Sequence, residues 1–295
     1  VVLLVGVGGA ALAIDASRHS MFPLGVVCMI LAVASYGAAY GLLPRLDPNR
    51  RNFVFYTILA LAMALLGLEI LLPHAVATVG CAAIALVAGA LASKIRSPIL
   101  YLHGAVYLIA AVFGSGLLGA TKSGLVGGTV EFARWLHPPL LLALALAVAY
   151  PWLPRPEGRA RDMALGRRST DVFILVTVLA VGAFVVSLIA QMSPQGALPG
   201  VLASSRTAVL AVSAAILAWY NRGHTRFGNL AWLVYTLLAL GALKLAYEDV
   251  RIGGAAVLFL SLGLYGGALI VAPRMLHGGK RHKGGEAHET GTASW

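Results

Sequence analysis

Residues 172–190 read VFILVTVLAVGAFVVSLIA, and residues 254–272 read GAAVLFLSLGLYGGALIVA; neither stretch contains a charge. A helix on the surface of a water-soluble domain keeps a polar stripe, whereas these two are apolar on every face and need apolar surroundings on every side. At 1.5 Å per residue, nineteen residues reach about 29 Å, close to the roughly 30 Å of a bilayer's hydrocarbon. Unpaired strand edges cannot sit in hydrocarbon, and no alternation marks a barrel, so the expected fold is an all-α transmembrane bundle.

Outward from these two stretches the pattern recurs. The spans are read at 1–14, 21–43, 53–72, 76–92, 98–119, 139–154, 171–190, 200–220, 228–247 and 253–272, ten in all. The fourth and sixth are short, and Pro151 lets the sixth run on to about Leu153. The first opens on Val1 and is read as a truncated span. It lacks the basic leader of a signal peptide, and Asp15 to Ser20 offers no small-residue cleavage pattern. Of 295 residues, 59% are hydrophobic and 11% charged, a composition that excludes a water-soluble all-helical enzyme.

Charge gives the orientation. Connectors 44–52, 93–97, 155–170 and 221–227, with the stretch from Pro273 onward, hold sixteen Lys and Arg; the opposite connectors hold only Arg18, Lys122, Arg134 and Arg251. The positive-inside rule then places both ends in the cytoplasm of a bacterium, with the ten-helix bundle over 1–272 in the inner membrane. Residues 273–295, rich in Gly, His and small polar residues, read as a disordered cytoplasmic tail. The net charge of +11 suits anionic lipid head groups as partners. Nucleic acid is not expected: the basic run Arg155 to Arg168 has only Trp152 nearby for stacking.

Cofactor chemistry finds little purchase. Cys28 and Cys81 fall inside spans, no CxxC or HExxH is present, and His103 is the only histidine well inside a span. Neither a metal nor a cofactor is therefore expected, and His277, His282 and His288 belong to the tail. Small residues at Gly37 and Gly41, at Gly114 and Gly119, and at Gly263, Gly266 and Gly267 read as seams for close helix packing. The connector 121–138 reads as a short interfacial helix capped by Thr129, with Glu131 in its first turn. Its apolar face would be Val130, Phe132, Trp135 and Leu136, with Trp135 at the lipid boundary. The alternative is a substrate lid hinged on Gly124, Gly127 and Gly128.

Charges inside spans carry the sharpest functional signal. Glu69, Arg206 and Lys244 lie near the exterior ends of the third, eighth and ninth spans, with Glu248, Asp249 and Arg251 just beyond Lys244. Buried charges must be paired or wet, so one inward-facing cluster of Glu69, Arg206 and Lys244 is expected, with Glu248 at i+4 from Lys244. It would either lock helices together or line a solute pathway. His103, close to Tyr101 and Tyr107, is the candidate for a proton-linked step.

Two resemblances bear on function. Five spans in each half would make an internal duplication inverted, and the topology resembles that of the drug and metabolite transporter superfamily, which implies alternating access. The stretch Tyr235 to Leu245, Tyr247-Glu248-Asp249-Val250, a glycine turn and Phe259-Leu260-Ser261-Leu262-Gly263 before Pro273-Arg274 is similar to the end of large uncharacterised bacterial polytopic membrane proteins. His103-Gly104 through Gly114-Ser115-Gly116 fits the same pattern. That likeness implies a bacterial membrane component and transfers no site residue. The leading expectation is a subunit or scaffold of an envelope process with a membrane-protein partner; the alternatives are a secondary transporter for a small solute and an enzyme acting on lipid-linked substrates.

Overall fold

Prolines and polar caps set where the helices start. In this computed structural model, which describes residues 21–42, 51–126, 132–154, 160–192, 199–223, 230–252 and 254–278, α1 (Phe22–Gly37) opens with a proline in its first turn and ends in a π turn, Ala38–Leu42. Proline is suited there because the first N–H groups of a helix have no partner within it. α2 (Arg51–Leu71) is followed by Pro73, the N-cap residue of α3 (His74–Ile95). Arg96, with φ 54°, ends α3 in the left-handed region. Ser97 then caps α4 (Pro98–Gly114), its hydroxyl accepting from the Leu100 N–H at 3.3 Å.

That two-residue connection corrects the fourth span. It is 22 residues long rather than short, because Lys94 and the residues either side of the apolar run belong to the helix. The fifth is corrected too: the helix breaks at Ser115–Gly116, where Gly116 has φ 76°, and resumes as α5 (Leu117–Leu125). Without a Cβ, glycine takes that conformation at no steric cost. A helical turn, Phe132–Trp135, precedes α6 (Pro138–Ala149), which continues as a 3-10 turn through Trp152. α7 (Ala160–Met192) starts well before the expected boundary, so Arg161, Arg167 and Arg168 lie on a helix and not in a connector. α8 (Pro199–Gly223) and α9 (Ala231–Lys244) follow; a π turn, Leu245–Asp249, and a last turn, Val250–Ile252, extend α9. α10 (Ala255–Gly278) runs through Pro273, six residues past the expected end.

The described chain is all-α; strands are absent among the described residues. Among the described residues, seven helices are long and apolar enough to cross a membrane: Phe22–Leu42, Asn52–Leu71, His74–Ile95, Arg168–Met192, Gly200–Asn221, Ala231–Asp249 and Ala255–Leu276. α4 and α5 together would make an eighth, whereas Pro138–Trp152 is shorter. The expected span 1–14 and residues 279–295 of the expected tail lie outside the described residues.

The chain divides into two compact units at Ser115/Gly116, inside the expected fifth span. In the first, α1 packs on α2, α2 on α3 and α3 on α4. Gly25 and Gly67 bring α1 and α2 together: a Cβ on Gly25 would lie 2.7 Å from Leu71 Cγ, and one on Gly67 2.8 Å from Met29 Sδ. In the second, α7 packs against α5, α6 and α8, and α8 against α9 and α10.

Most of the expected glycine seams make no close contact with another described helix. Among the described residues beyond its own helix backbone, a Cβ on Gly37, Gly41, Gly119, Gly263, Gly266 or Gly267 would find no atom within 4 Å, whereas one on Gly114 would stand 2.6 Å from Thr78 Oγ1. Small-residue spacing shows that a helix face is thin, not that a neighbour covers it. In the second unit Gly124 lies against backbone: a Cβ there would meet the Ala183 Cβ at 2.7 Å and its backbone at 3.0 Å. Gly124→Ala is therefore expected to destabilise the purified protein by about 1–3 kcal/mol through overpacking. Gly263→Ala should be tolerated. Thermal midpoints in one detergent compare the two; equal midpoints would remove Gly124 from the seam.

A buried ion cluster as the candidate functional site

The π turn after α9 creates the site. Its hydrogen bonds close at i+5 instead of i+4, widening the turn so that residues four and five positions after Lys244 both lie on its side. Those residues are Glu248 and Asp249. α8 faces them with Arg206, Thr207 and the Ala203 carbonyl, and α5 contributes the Gly124 carbonyl.

Each charge has a defined partner. Arg206 donates from Nε to the Gly124 carbonyl at 2.8 Å and forms an ion pair from Nη1 to Glu248 Oε1. Lys244 Nζ pairs with Asp249 Oδ1 and donates to the Ala203 carbonyl and, at 2.8 Å, to Thr207 Oγ1. These use the three N–H bonds of an ammonium. Thr207 passes the interaction on by donating to Asp249 Oδ2 at 2.8 Å.

All four ionic side chains are buried: Arg206 is 4% exposed, Lys244 and Glu248 7%, and Asp249 0%. Two cations and two anions leave no formal net charge. That balance matters because removing each ion from water costs several kcal/mol, which only close partners offset. One acceptor stands apart: Glu248 Oε2 has no hydrogen-bond partner among the described residues and lies 3.7 Å from Lys244 Nζ.

The structure thus brings Arg206, Lys244 and Glu248 together and adds Asp249, which helical periodicity gave no reason to include. Glu69 belongs to the first unit, on α2. Its carboxylate faces His74 Nδ1 at 3.4 Å, and the two side chains are 54% and 66% exposed. The acidic partners observed for Arg206 and Lys244 are Glu248 and Asp249.

His103 sits in a different polar group, within the first unit. It is 3% exposed, and its Nδ1 lies 3.0 Å from the Tyr36 hydroxyl, which is 3.4 Å from that of Tyr107. Tyr40, in the π turn that ends α1, meets Ser97 Oγ at 3.2 Å. Sequence reasoning found Tyr107, four residues along α4, but missed Tyr36 because nothing in the chain's order joins α1 to α4.

Trp135 corrects the interfacial-helix reading. It is 1% exposed, donates from Nε1 to Ser187 Oγ at 2.8 Å, and meets the Phe184 ring edge-on at 5.7 Å. It is thus an anchor onto α7, not a residue at a lipid boundary, although Leu136 is exposed. Thr129, Val130 and Glu131 lie outside the described residues. Cys28 and Cys81 are buried free thiols, and no group of three or more metal-ligating side chains occurs among the described residues. The chain matches no protein-family model, no curated protein and no solved structure.

Proposed function

We propose that this chain is a multi-pass protein of a bacterial cytoplasmic membrane that acts as a subunit or scaffold of an envelope process, its ion cluster locking α5, α8 and α9 together. The observation that carries this reading is closure of the cluster. Two cations and two anions are buried with no formal excess, and the three N–H bonds of Lys244 are all taken up within the protein. A site that loads and releases a charged solute needs ligands free to exchange between protein, solute and water; a lock does not. The bacterial assignment rests on the alternate-connector charge pattern and on the likeness of the carboxyl end to large bacterial polytopic proteins.

A secondary transporter of a small solute is the second reading, favoured by one observation: Glu248 Oε2, 3.7 Å from Lys244 Nζ, accepts no hydrogen bond among the described residues. Reconstituted flux against a small-solute panel separates the two. The scaffold reading expects no saturable flux and stable co-purification with one membrane-protein partner; saturable flux abolished by Lys244→Met in a protein that still folds would reverse the order.

Orientation has its own test. In a background lacking Cys28 and Cys81, single cysteines at Asn49, Lys94, Gly158 and Ala287 should resist an impermeant thiol reagent applied to intact cells. Cysteines at Ser17, Gly127 and Gln195 should react. Lys94 serves better than Ser97, which is buried as the cap of α4. Strong outside labelling at Gly158 would overturn the orientation.

A further inference from the structure

Within the second unit, α7 and α8 leave a groove between them. Two cavities, of about 440 and 160 Å³, share Thr177, Val178 and Leu217 in their linings and so form one slot along the pair. The larger is walled by carbon apart from the hydroxyls of Thr177 and Ser213. Val181, Val185, Val212 and Ile216 line it and are exposed, so it opens outward, to hydrocarbon where these helices cross a membrane. From Ala208 to Tyr220 the lining follows twelve residues of α8, about 18 Å. That is close to the depth of one leaflet, about half of a 30 Å hydrocarbon core.

The floor sets the width. α7 packs on α8, and a Cβ on Gly182 would stand 2.7 Å from Val209 Cγ1. Over so tight a floor a single hydrocarbon chain fits, whereas a partner helix, about 10–12 Å across, would ride on the rim.

The two ends of the slot differ in charge. α7 and α8 are antiparallel neighbours, so the start of α7 and the end of α8 meet at the end lined by Trp152 and Tyr220. Trp152 is exposed there, as an indole at head-group level is. At this end α7 carries Arg161, Arg167 and Arg168 against Asp162, and the last turn of α8 carries Arg222. Arg167 precedes the lining residues Ile174 and Val185 by seven and eighteen residues, two and five whole turns, which puts its position on the groove face. Arg168 beside it is exposed. Asp171, on the same face, is buried and accepts from Trp232 Nε1 at 3.3 Å, so its carboxylate is drawn into the protein. Each arginine at a membrane surface favours a negatively charged lipid by about five-fold.

We infer that the α7–α8 groove binds one anionic phospholipid, with an acyl chain along the valines and its phosphate at Arg167 and Arg168. The inference rests on the membrane reading of these helices and not on the scaffold role: the presence or absence of solute flux, or of a co-purifying partner, decides that role and leaves the lipid site standing.

The test uses the full chain in dodecyl maltoside, with palmitoyl-oleoyl phosphatidylglycerol as probe and the phosphatidylcholine of the same chains as its uncharged counterpart. Native mass spectrometry should show one phosphatidylglycerol retained, in preference to phosphatidylcholine by about five-fold or more. The double variant R167Q/R168Q should retain the two lipids equally. Val181→Trp and Val212→Trp fill the groove from two helices at exposed positions and should each remove the retained lipid while keeping the wild-type thermal midpoint. Ile270→Trp, exposed on α10, should keep it. Equal retention or none in the wild type, a preference that survives R167Q/R168Q, or lipid retained by a folded groove-filling variant would each overturn the inference. So would a protein photo-crosslinked from position 212 in native membranes with no phosphatidylglycerol retained, which would put a partner helix on this face.

Discussion

Arg206→Ala should destabilise the purified protein by about 3–5 kcal/mol, the range for removing one partner of a buried ion pair. The substitution strips Glu248 Oε1 of its ion-pair partner and the Gly124 carbonyl of the Nε donor that reaches it at 2.8 Å. What remains is a carboxylate 7% exposed with neither oxygen paired at close range, beside a Lys244 already committed to Asp249. Arg206→Lys should recover only part of the loss. An ammonium is a point donor and cannot reach a carbonyl and a carboxylate with the fixed fork of a guanidinium. Arg281→Ala, in the basic stretch following α10, is the comparison and should change stability by less than about 0.5 kcal/mol. Unfolding midpoints in mixed micelles measure all three; equal stability of the two alanine variants would remove the cluster from the account.

Trp135→Ala is expected to cost about 3–5 kcal/mol, as for other large aromatic side chains removed from a packed interior. The indole is 1% exposed and holds α7 by its bond to Ser187 and its edge contact with Phe184. Ser187→Ala tests the polar half of that anchor. It leaves a buried indole N–H without its acceptor, a loss of about 1–3 kcal/mol, and should be matched in direction by Trp135→Phe, which keeps an aromatic ring and removes the donor. A tryptophan at a lipid boundary would behave differently, with all three variants near the wild-type midpoint.

Helices were the most legible part of the sequence because an uncharged run of about twenty residues leaves the backbone few alternatives in hydrocarbon. Their ends were less so. Arg96 and Ser97 make so short a connection that Lys94 is drawn into α3, and Gly116 breaks a run whose composition is continuous. At the site, Arg206, Lys244 and Glu248 could be named in advance because charge in an apolar helix demands a partner. Asp249 could not: ordinary helical rotation of about 100° per residue turns position i+5 well away from position i, and only the π turn brings it back. Trp135 was misplaced for a related reason. A short helix with one apolar face has the same pattern whether that face meets lipid or, as here, Phe184 and Ser187 of α7. Gly263, Gly266 and Gly267 carry the converse lesson, since their thin face has no described neighbour within 4 Å of an added Cβ.

The claim that the cluster is a lock is tested most directly by a double-mutant cycle between Arg206 and Glu248. Arg206→Met and Glu248→Leu should each cost about 3–5 kcal/mol, because each removes one partner of a buried ion pair. The pair together should lie within about 2 kcal/mol of the wild type, since both charges are gone and the remaining loss is chiefly the donor to the Gly124 carbonyl. Recovery of that size is the result this account predicts. Two small, additive losses would contradict it, showing Arg206 and Glu248 to be solvated and independent, as in a water-filled pathway.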